Sequence, residues 1–123
     1  MNRQAALQVL HNMNSLAATI EPSRPGYGAW VGVYPLNLSD PMSVSVLRQF
    51  GLLPHPNIGR VYCIRAIEVE LKLIEADVWF GEESITSRAD LLAIGDDELF
   101  QRLTELGVGP DQLEQPYKVD YPI

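Results

Sequence analysis

The sequence predicts a single α+β domain over residues 1–123: a mainly antiparallel sheet with an N-terminal amphipathic helix and a C-terminal helix packed on it. Apolar residues recur at helical spacing over Asn2 to Ile20 and over Asp96 to Leu106, whereas they alternate with polar residues over Val61 to Leu73. A switch between these two periods favours helices packed on a sheet. With 123 residues and 46% hydrophobic content, the chain is long enough to bury one core.

The first helix is predicted over Asn2 to Ile20 because its apolar residues form one stripe. Pro22 and Pro25 end this helix, since an interior proline removes a backbone hydrogen bond and clashes with the preceding turn. The stripe consists of Ala6, Val9, Leu10, Met13, Leu16, Ala17 and Ile20.

A strand is predicted over Tyr27 to Leu36, which is rich in aromatic and β-branched residues. Its alternation places Val31 and Val33 on one face and Trp30 and Tyr34 on the other. The two faces therefore differ in character, one aliphatic and one aromatic.

Val61 to Leu73 predicts a long strand, because apolar residues alternate with charged ones there. Glu75 to Phe80 either continues this strand after a bend or forms another one. Arg88 to Ile94 fits a strand or a helix equally well.

Two further helices are predicted from their end signals. Pro41 to Phe50 has Asp40 as its N-cap and Gly51 as its stop. Asp96 to Leu106 ends at Gly107 and carries an apolar face, which consists of Leu99, Phe100, Leu103 and Leu106.

The carboxylates lie almost entirely in the second half of the chain. Only Glu21 and Asp40 precede Val61, although the net charge is -7 and the basic residues are spread evenly. Such an asymmetry can create a negative face that attracts a basic protein partner. It argues against direct binding of DNA or RNA, whose phosphates need lysine and arginine.

No residue pattern indicates catalysis, a cofactor or a metal. Cys63 lies in a strand pattern, where a buried inert thiol is the usual outcome. Asp96, Asp97 and Glu98 fit a helix N-terminus better than a cation site, because no calcium-loop spacing surrounds them. A single cysteine, no signal peptide and no span of about 20 apolar residues predict a cytoplasmic protein without membrane contact.

The C-terminal half offers two groups of candidate partner-binding residues. Carboxylates would steer the partner, and aromatic residues are favoured as anchors at interfaces. The alternative is that the extended tail, Pro116 to Ile123, packs on its own domain with Tyr117 and Val119 in a groove. The candidate steering residues are Glu82, Glu83, Asp97, Glu98 and Asp120, and the candidate anchors are Trp79, Tyr117 and Tyr121.

In size, acidity, lack of disulfides and lack of catalytic residues, the whole chain resembles the immunity proteins that neutralise bacterial polymorphic or contact-dependent toxins. No diagnostic motif carries this resemblance. It implies a non-catalytic inhibitor that covers the active site of a basic toxin domain, such as a nuclease or deaminase.

Two other functions fit the sequence. Chaperones or adaptors of secreted effectors are also small, acidic and α+β, but they usually begin with a helix followed by several strands, and the predicted helix after Asp40 interrupts that order. The third function is a small enzyme acting through carboxylates in a cleft. Alternation along a strand explains Glu68 and Glu70 more simply, as a solvated face. The enzyme's candidate carboxylates are Glu68, Glu70, Asp77 and Glu82.

Overall fold

Helices stand at both ends of the folded chain and antiparallel strands between them. The computed structural model describes residues 1–36, 45, 48–49, 60–72, 85–119 and 121–122, with the backbone alone for 85–88. In chain order the elements are helix α1 (Arg3–His11), strands β1 (Leu16–Ile20), β2 (Tyr27–Leu36), β3 (Val61–Glu70) and β4 (Ile85–Ile94), helix α2 (Asp96–Glu105), and the 3-10 helices Pro110–Gln112 and Pro116–Val119.

The four described strands form one sheet in the order β1-β2-β3-β4, and every neighbouring pair is antiparallel. Trp30 lies opposite Ile67 between β2 and β3, and Arg65 lies opposite Asp90 between β3 and β4. A register shift between Glu68 and Val69 marks a bulge at the far end of β3. The predicted α+β domain with a mainly antiparallel sheet is confirmed.

The main core lies on one face of the sheet, against α1 and α2. Alternation along each strand sends every second side chain to this helix-covered face, so β2 contributes Val31 and Val33 as predicted. The buried members of this core are Ala6, Leu10, Leu16, Ala18, Val31, Val33, Tyr62, Ile64, Ala93, Leu99, Phe100, Leu103, Val108 and Leu113.

A smaller cluster lies on the opposite face of the sheet. Trp30, Ile67 and Val69 are buried there, and Val119 and Tyr121 from the C-terminal tail pack against them. We call this surface the tail-covered face. Its aromatic character agrees with the predicted alternation of β2, which placed Trp30 and Tyr34 on the same face of the strand.

The predicted first helix is wrong beyond His11. Helix α1 ends there, Met13 takes a left-handed backbone conformation with φ of 65°, and Leu16–Ile20 form strand β1 beside β2. Backbone pairing with β2 satisfies this segment, and β-branched Thr19 and Ile20 suit a strand better than a helix. Leu16 is nevertheless buried in the core, as it would have been in the predicted helix.

Other predicted elements have different outcomes. The ambiguous segment Arg88 to Ile94 belongs to strand β4, and the predicted C-terminal helix is confirmed as α2. Strand β3 ends at Glu70 rather than Leu73, and the tail, which was predicted to be extended, forms a 3-10 helix over Pro116–Val119. The predicted helix from Pro41 to Phe50, the loop after it and the segment Glu75 to Phe80 fall wholly or mostly outside the described residues.

Helices long and apolar enough to cross a bilayer are not found among the described parts of the chain.

Candidate partner-binding surface

The C-terminal tail is held to the sheet on both sides of Tyr117. Before it, Glu114 exchanges two backbone hydrogen bonds with Ala17 of β1, at 2.9 and 2.8 Å. After it, the indole N–H of Trp30 donates to the Val119 carbonyl at 2.7 Å, and the hydroxyls of Tyr34 and Tyr121 are 2.6 Å apart. The tail therefore crosses from the β1 edge to the tail-covered face.

Gly32 makes this crossing possible because it leaves room for Tyr121. A Cβ atom at position 32 would lie 2.5 Å from the Tyr121 hydroxyl oxygen and 2.7 Å from its Cζ. Real Cβ atoms do not approach other atoms that closely. Glycine at position 32 therefore allows the Tyr121 ring to pack directly against the backbone of β2.

Tyr117 itself points away from the sheet. It is 72% exposed, whereas Val119 and Tyr121, which follow it along the tail, are half-buried. The 3-10 helix Pro116–Val119 explains the split, because residues two positions apart in such a turn do not face the same side. Of the expected tail packing, Val119 takes part and Tyr117 does not.

An open groove of about 370 Å³ lies beside Tyr117. Met13, in the turn that leads into this groove, is 50% exposed and keeps a backbone conformation that costs a non-glycine residue about 1 kcal/mol. Two large apolar side chains thus face solvent in neighbouring parts of the fold. The groove is lined by Val9, Asn14, Ser15, Gln115, Pro116 and Tyr117.

Substituting Gly32→Ala is expected to displace the tail without unfolding the sheet, because alanine fits a strand but not the Tyr121 contact. Limited proteolysis should cut the tail of this variant sooner than that of the wild type, and Tyr121 resonances should move towards random-coil values. Gly95→Ala is a poor control because Gly95 has a φ of 88°. Ala89→Gly, at an exposed position of β4, is a better one. Unchanged Tyr121 resonances in Gly32→Ala would contradict the contact.

The first turn of α2 carries two of the candidate steering carboxylates, and both have cationic neighbours in this chain. Asp97 forms an ion pair with Arg3, and its side chain remains 98% exposed. Glu98 lies 3.7 Å from Arg102, the helical pair that the four-residue spacing predicts. Exposed pairs of this kind contribute little and exchange readily.

A polar cluster that the sequence does not indicate lies beside this turn. The buried Tyr62 donates its hydroxyl to Asp96 Oδ1 at 2.5 Å. His11 Nε2 lies 3.4 Å from Asp96 Oδ2, and the Arg60 guanidinium lies 4.0 Å from the same oxygen. Helix α1, strand β3 and helix α2 thus meet at one carboxylate.

The Tyr62 hydroxyl stays neutral in this cluster. Burial raises its pKa far above the ordinary value, and the hydrogen bond to Asp96 and the charge of that carboxylate raise it further. Burial also raises the pKa of Tyr34. Both tyrosines therefore act as hydrogen-bond donors at neutral pH.

Stability is expected to fall as the pH rises above about 10. Above that pH the unfolded chain releases the Tyr62 proton while the folded chain keeps it, so the free energy of unfolding decreases by at most about 1.4 kcal/mol per pH unit for one such tyrosine. Urea unfolding between pH 8 and 11 measures this slope. Tyr62→Phe should flatten it, and an equal slope in that variant would assign the alkaline loss to other groups.

The described residues contain no group of three or more histidine, cysteine, aspartate or glutamate side chains that could hold a metal ion. Glu68, one of the carboxylates named for the enzyme hypothesis, is 9% exposed and accepts hydrogen bonds from both donors of Ser23. The backbone N–H donates to Oε1 at 2.9 Å, and the single hydroxyl lies 3.0 Å from Oε1 and 2.8 Å from Oε2. These bonds tie the segment between β1 and β2 to strand β3. Cys63 is half-buried on the tail-covered face.

The candidate binding residues are thus divided by the fold. Asp97 and Glu98 lie on the first turn of α2, Tyr117 faces solvent beside its groove, and Tyr121 contacts Tyr34. Trp79, Glu82, Glu83 and Asp120 fall outside the described residues. Comparisons with protein-family models, with curated proteins and with solved structures find no match to this chain.

Proposed function

We propose that this chain is a non-catalytic binding protein, and specifically an immunity protein that binds and neutralises a cognate bacterial toxin by covering its active site. The observation that carries the proposal is Tyr117, which is 72% exposed although the tail is held to the sheet on both sides of it. An aromatic side chain in that position suits an interface better than a core.

The fixed tail favours binding because little has to be ordered when a partner arrives. Glu114 and Val119 hold the backbone before and after Tyr117, so association does not carry the cost of fixing a loose segment. Tyrosines in such positions are enriched among residues that dominate binding energy. The adjacent groove and the exposed Met13 offer further contact area.

Charge supports a basic partner. The chain carries a net charge of -7, and Asp97 is almost fully exposed at the start of α2. A cationic partner can replace Arg3 or Arg102 at these carboxylates, because exposed ion pairs are worth at most about 1 kcal/mol. The acidic surface would act through the rate of association more than through contact energy.

The charge reversal Asp97→Lys is expected to slow association with a basic toxin domain and to reduce the dependence of that rate on salt, leaving dissociation nearly unchanged. Glu70→Lys is the matched control, since it changes the net charge by the same amount. Glu70 ends strand β3, whereas the first turn of α2, which carries Asp97, lies beside the start of that strand. Binding kinetics at two ionic strengths separate the two. If both variants slow association equally, Asp97 acts only through the net charge of the chain and not through its position.

The immunity function is tested by co-expression with the products of the neighbouring genes. We expect one neighbour to arrest bacterial growth when expressed alone, and this chain to restore growth by forming a complex with it. A growth arrest that persists beside a stably expressed wild-type chain would refute the assignment, as would neighbours without toxicity.

A chaperone or adaptor for a secreted effector is the second candidate. The described order favours it, because α1 is followed directly by β1 and β2, which is closer to the helix-then-strands order of such proteins than the predicted long first helix. That function predicts a dimer and binding to an effector encoded nearby. Sedimentation equilibrium together with pull-down of the neighbouring gene product distinguishes it from a monomeric toxin inhibitor.

A further inference from the structure

Strand β1 lies at one edge of the described sheet, and only part of its outer side is paired. Ala17 exchanges backbone hydrogen bonds with Glu114, so its N–H and C=O groups point away from β2. Because successive residues of a strand alternate, Thr19 also directs its N–H and C=O groups outward. No backbone group of the described residues pairs with Thr19 on that side, and the residue is exposed.

The tail of this chain does not continue the pairing. Extending its antiparallel bridge by two residues would place Gln112 opposite Thr19. Gln112 instead belongs to the 3-10 helix Pro110–Gln112, where its N–H donates to the Gly109 carbonyl at 3.0 Å and its side-chain oxygen accepts from the Gly109 N–H at 2.6 Å. The tail therefore turns away from β1 and leaves a gap beside Thr19.

This gap is an open groove of about 560 Å³ with an apolar and an acidic part. Ile20 and Leu106 are half-buried and pack against the main core. Glu21 is exposed and forms no ion pair with any described residue. The last carbonyls of α2 add partial negative charge at this end of the helix. The groove is lined by Thr19, Ile20, Glu21, Leu106, Gly107 and Gln112.

We propose that the outer edge of β1 at Thr19 binds an extended, lysine- or arginine-rich segment of a partner protein by strand addition, with Glu21 as the acidic contact. In strand addition, main-chain hydrogen bonds supply affinity and alternate side chains supply specificity. The proposal deepens the binding function proposed above and rests on this chain having a protein partner, but not on that partner being a toxin.

A second copy of this chain fits the same edge poorly. Two β1 strands paired antiparallel about Thr19 would bring Ala17 of each copy opposite Glu21 of the other, and Glu114 already occupies the outer side of Ala17. Each copy also carries a net charge of -7, which opposes their association. The unpaired Glu21 instead favours a cationic segment.

The probe is an acetylated and amidated hexapeptide of alternating lysine and valine. Paired antiparallel at Thr19, it places lysines opposite Thr19 and Glu21 and valines beside the apolar residues of the groove. In an NMR titration of isotope-labelled protein, the amide signals of Thr19, Ile20 and Gly107 should shift more than that of Asp97 on the first turn of α2. A peptide of alternating glutamate and valine should leave all of them unchanged.

Two N-methylated forms of the peptide separate strand addition from charge attraction. In this register the lysine N–H groups point towards β1, so methylating them removes the donors of the new ladder. Methylating the valine nitrogens instead leaves the side that faces β1 free, with the same charge. The lysine-methylated form is expected to bind about tenfold more weakly than the valine-methylated form.

Variants of the protein test the same contact from the other side. Thr19→Pro removes the outward N–H without touching the ladder to β2, because an edge strand tolerates a proline whose nitrogen faces away from the sheet. We expect it to raise the Kd of the lysine–valine peptide about tenfold, whereas Thr19→Val should bind like the wild type. Glu21→Gln should raise the Kd about two- to fivefold, and the charge control Glu70→Gln should not.

Circular dichroism checks that each variant is folded, and if Thr19→Pro is not, the two methylated peptides still decide. Equal binding of these peptides, no amide shifts at millimolar peptide, a folded Thr19→Pro variant with wild-type affinity, or a Kd unchanged in Glu21→Gln would overturn the proposal. These results are independent of the co-expression test, because a chain that neutralises a toxin through Tyr117 alone would restore growth and still fail to bind the peptide.

Discussion

Replacing Leu103 with alanine is expected to lower the free energy of unfolding by about 2–5 kcal/mol. Leu103 is 0% exposed in α2 and belongs to the core between that helix and the sheet. The substitution removes buried methyl groups and leaves a cavity that Leu99 and Leu113, themselves fully buried, cannot fill without shifting.

Urea unfolding at neutral pH measures the loss, provided that both variants unfold in one step. Leu106→Ala is the matched control: Leu106 is half-buried at the end of the same helix, so the same truncation should cost less. A loss for Leu103→Ala no larger than that for Leu106→Ala would contradict the packing of α2 on the sheet.

Helix α2 could be predicted because every local signal in its sequence agrees. Its apolar residues follow the helical period, carboxylates occupy the first turn, and Gly107 follows the end with a positive φ. The faces of β2 could be predicted for a similar reason, since alternation alone decides which side chains share a face. Where local propensity and tertiary packing agree, sequence reasoning is sufficient.

The segment Leu16–Ile20 shows where such reasoning fails. Its apolar residues continue the stripe of α1 and also fill one face of a strand, so periodicity cannot decide between the two. What decides is pairing with β2, the next strand along the chain, on one side and the bridge from Ala17 to Glu114, which is distant in sequence, on the other. The left-handed Met13 that ends the helix region carries no sequence signal, because methionine rarely takes that conformation.

The candidate sites show the same division. Tyr117 and Tyr121 could be picked out as exceptional residues of the tail, but their opposite orientations depend on a 3-10 turn and on Gly32. The cluster around Asp96 joins residues 34 to 85 positions away, as the numbers of Tyr62 and His11 show. Its members belong to three elements, and no spacing pattern along the chain relates them.

Truncating Tyr117 is expected to weaken binding of the proposed toxin partner by about 2 kcal/mol or more, roughly a thirtyfold rise in Kd, mainly through faster dissociation. The reason is that a tyrosine already held in position loses little entropy when it is buried, so most of its contact energy appears as affinity. Lys118→Ala is the control, because Lys118 is exposed in the same 3-10 helix.

Combining Tyr117→Ala with Gly32→Ala tests whether the held tail is the cause. Gly32→Ala displaces Tyr121 and should by itself weaken binding, since Tyr117 then leaves its fixed position. Once the tail is displaced, removing the Tyr117 side chain should cost much less than it does in the wild type, and the difference between the two costs measures their coupling. Additive effects would show that Tyr117 binds independently of the tail contacts, and a Tyr117→Ala variant with wild-type dissociation would remove this residue from the interface altogether.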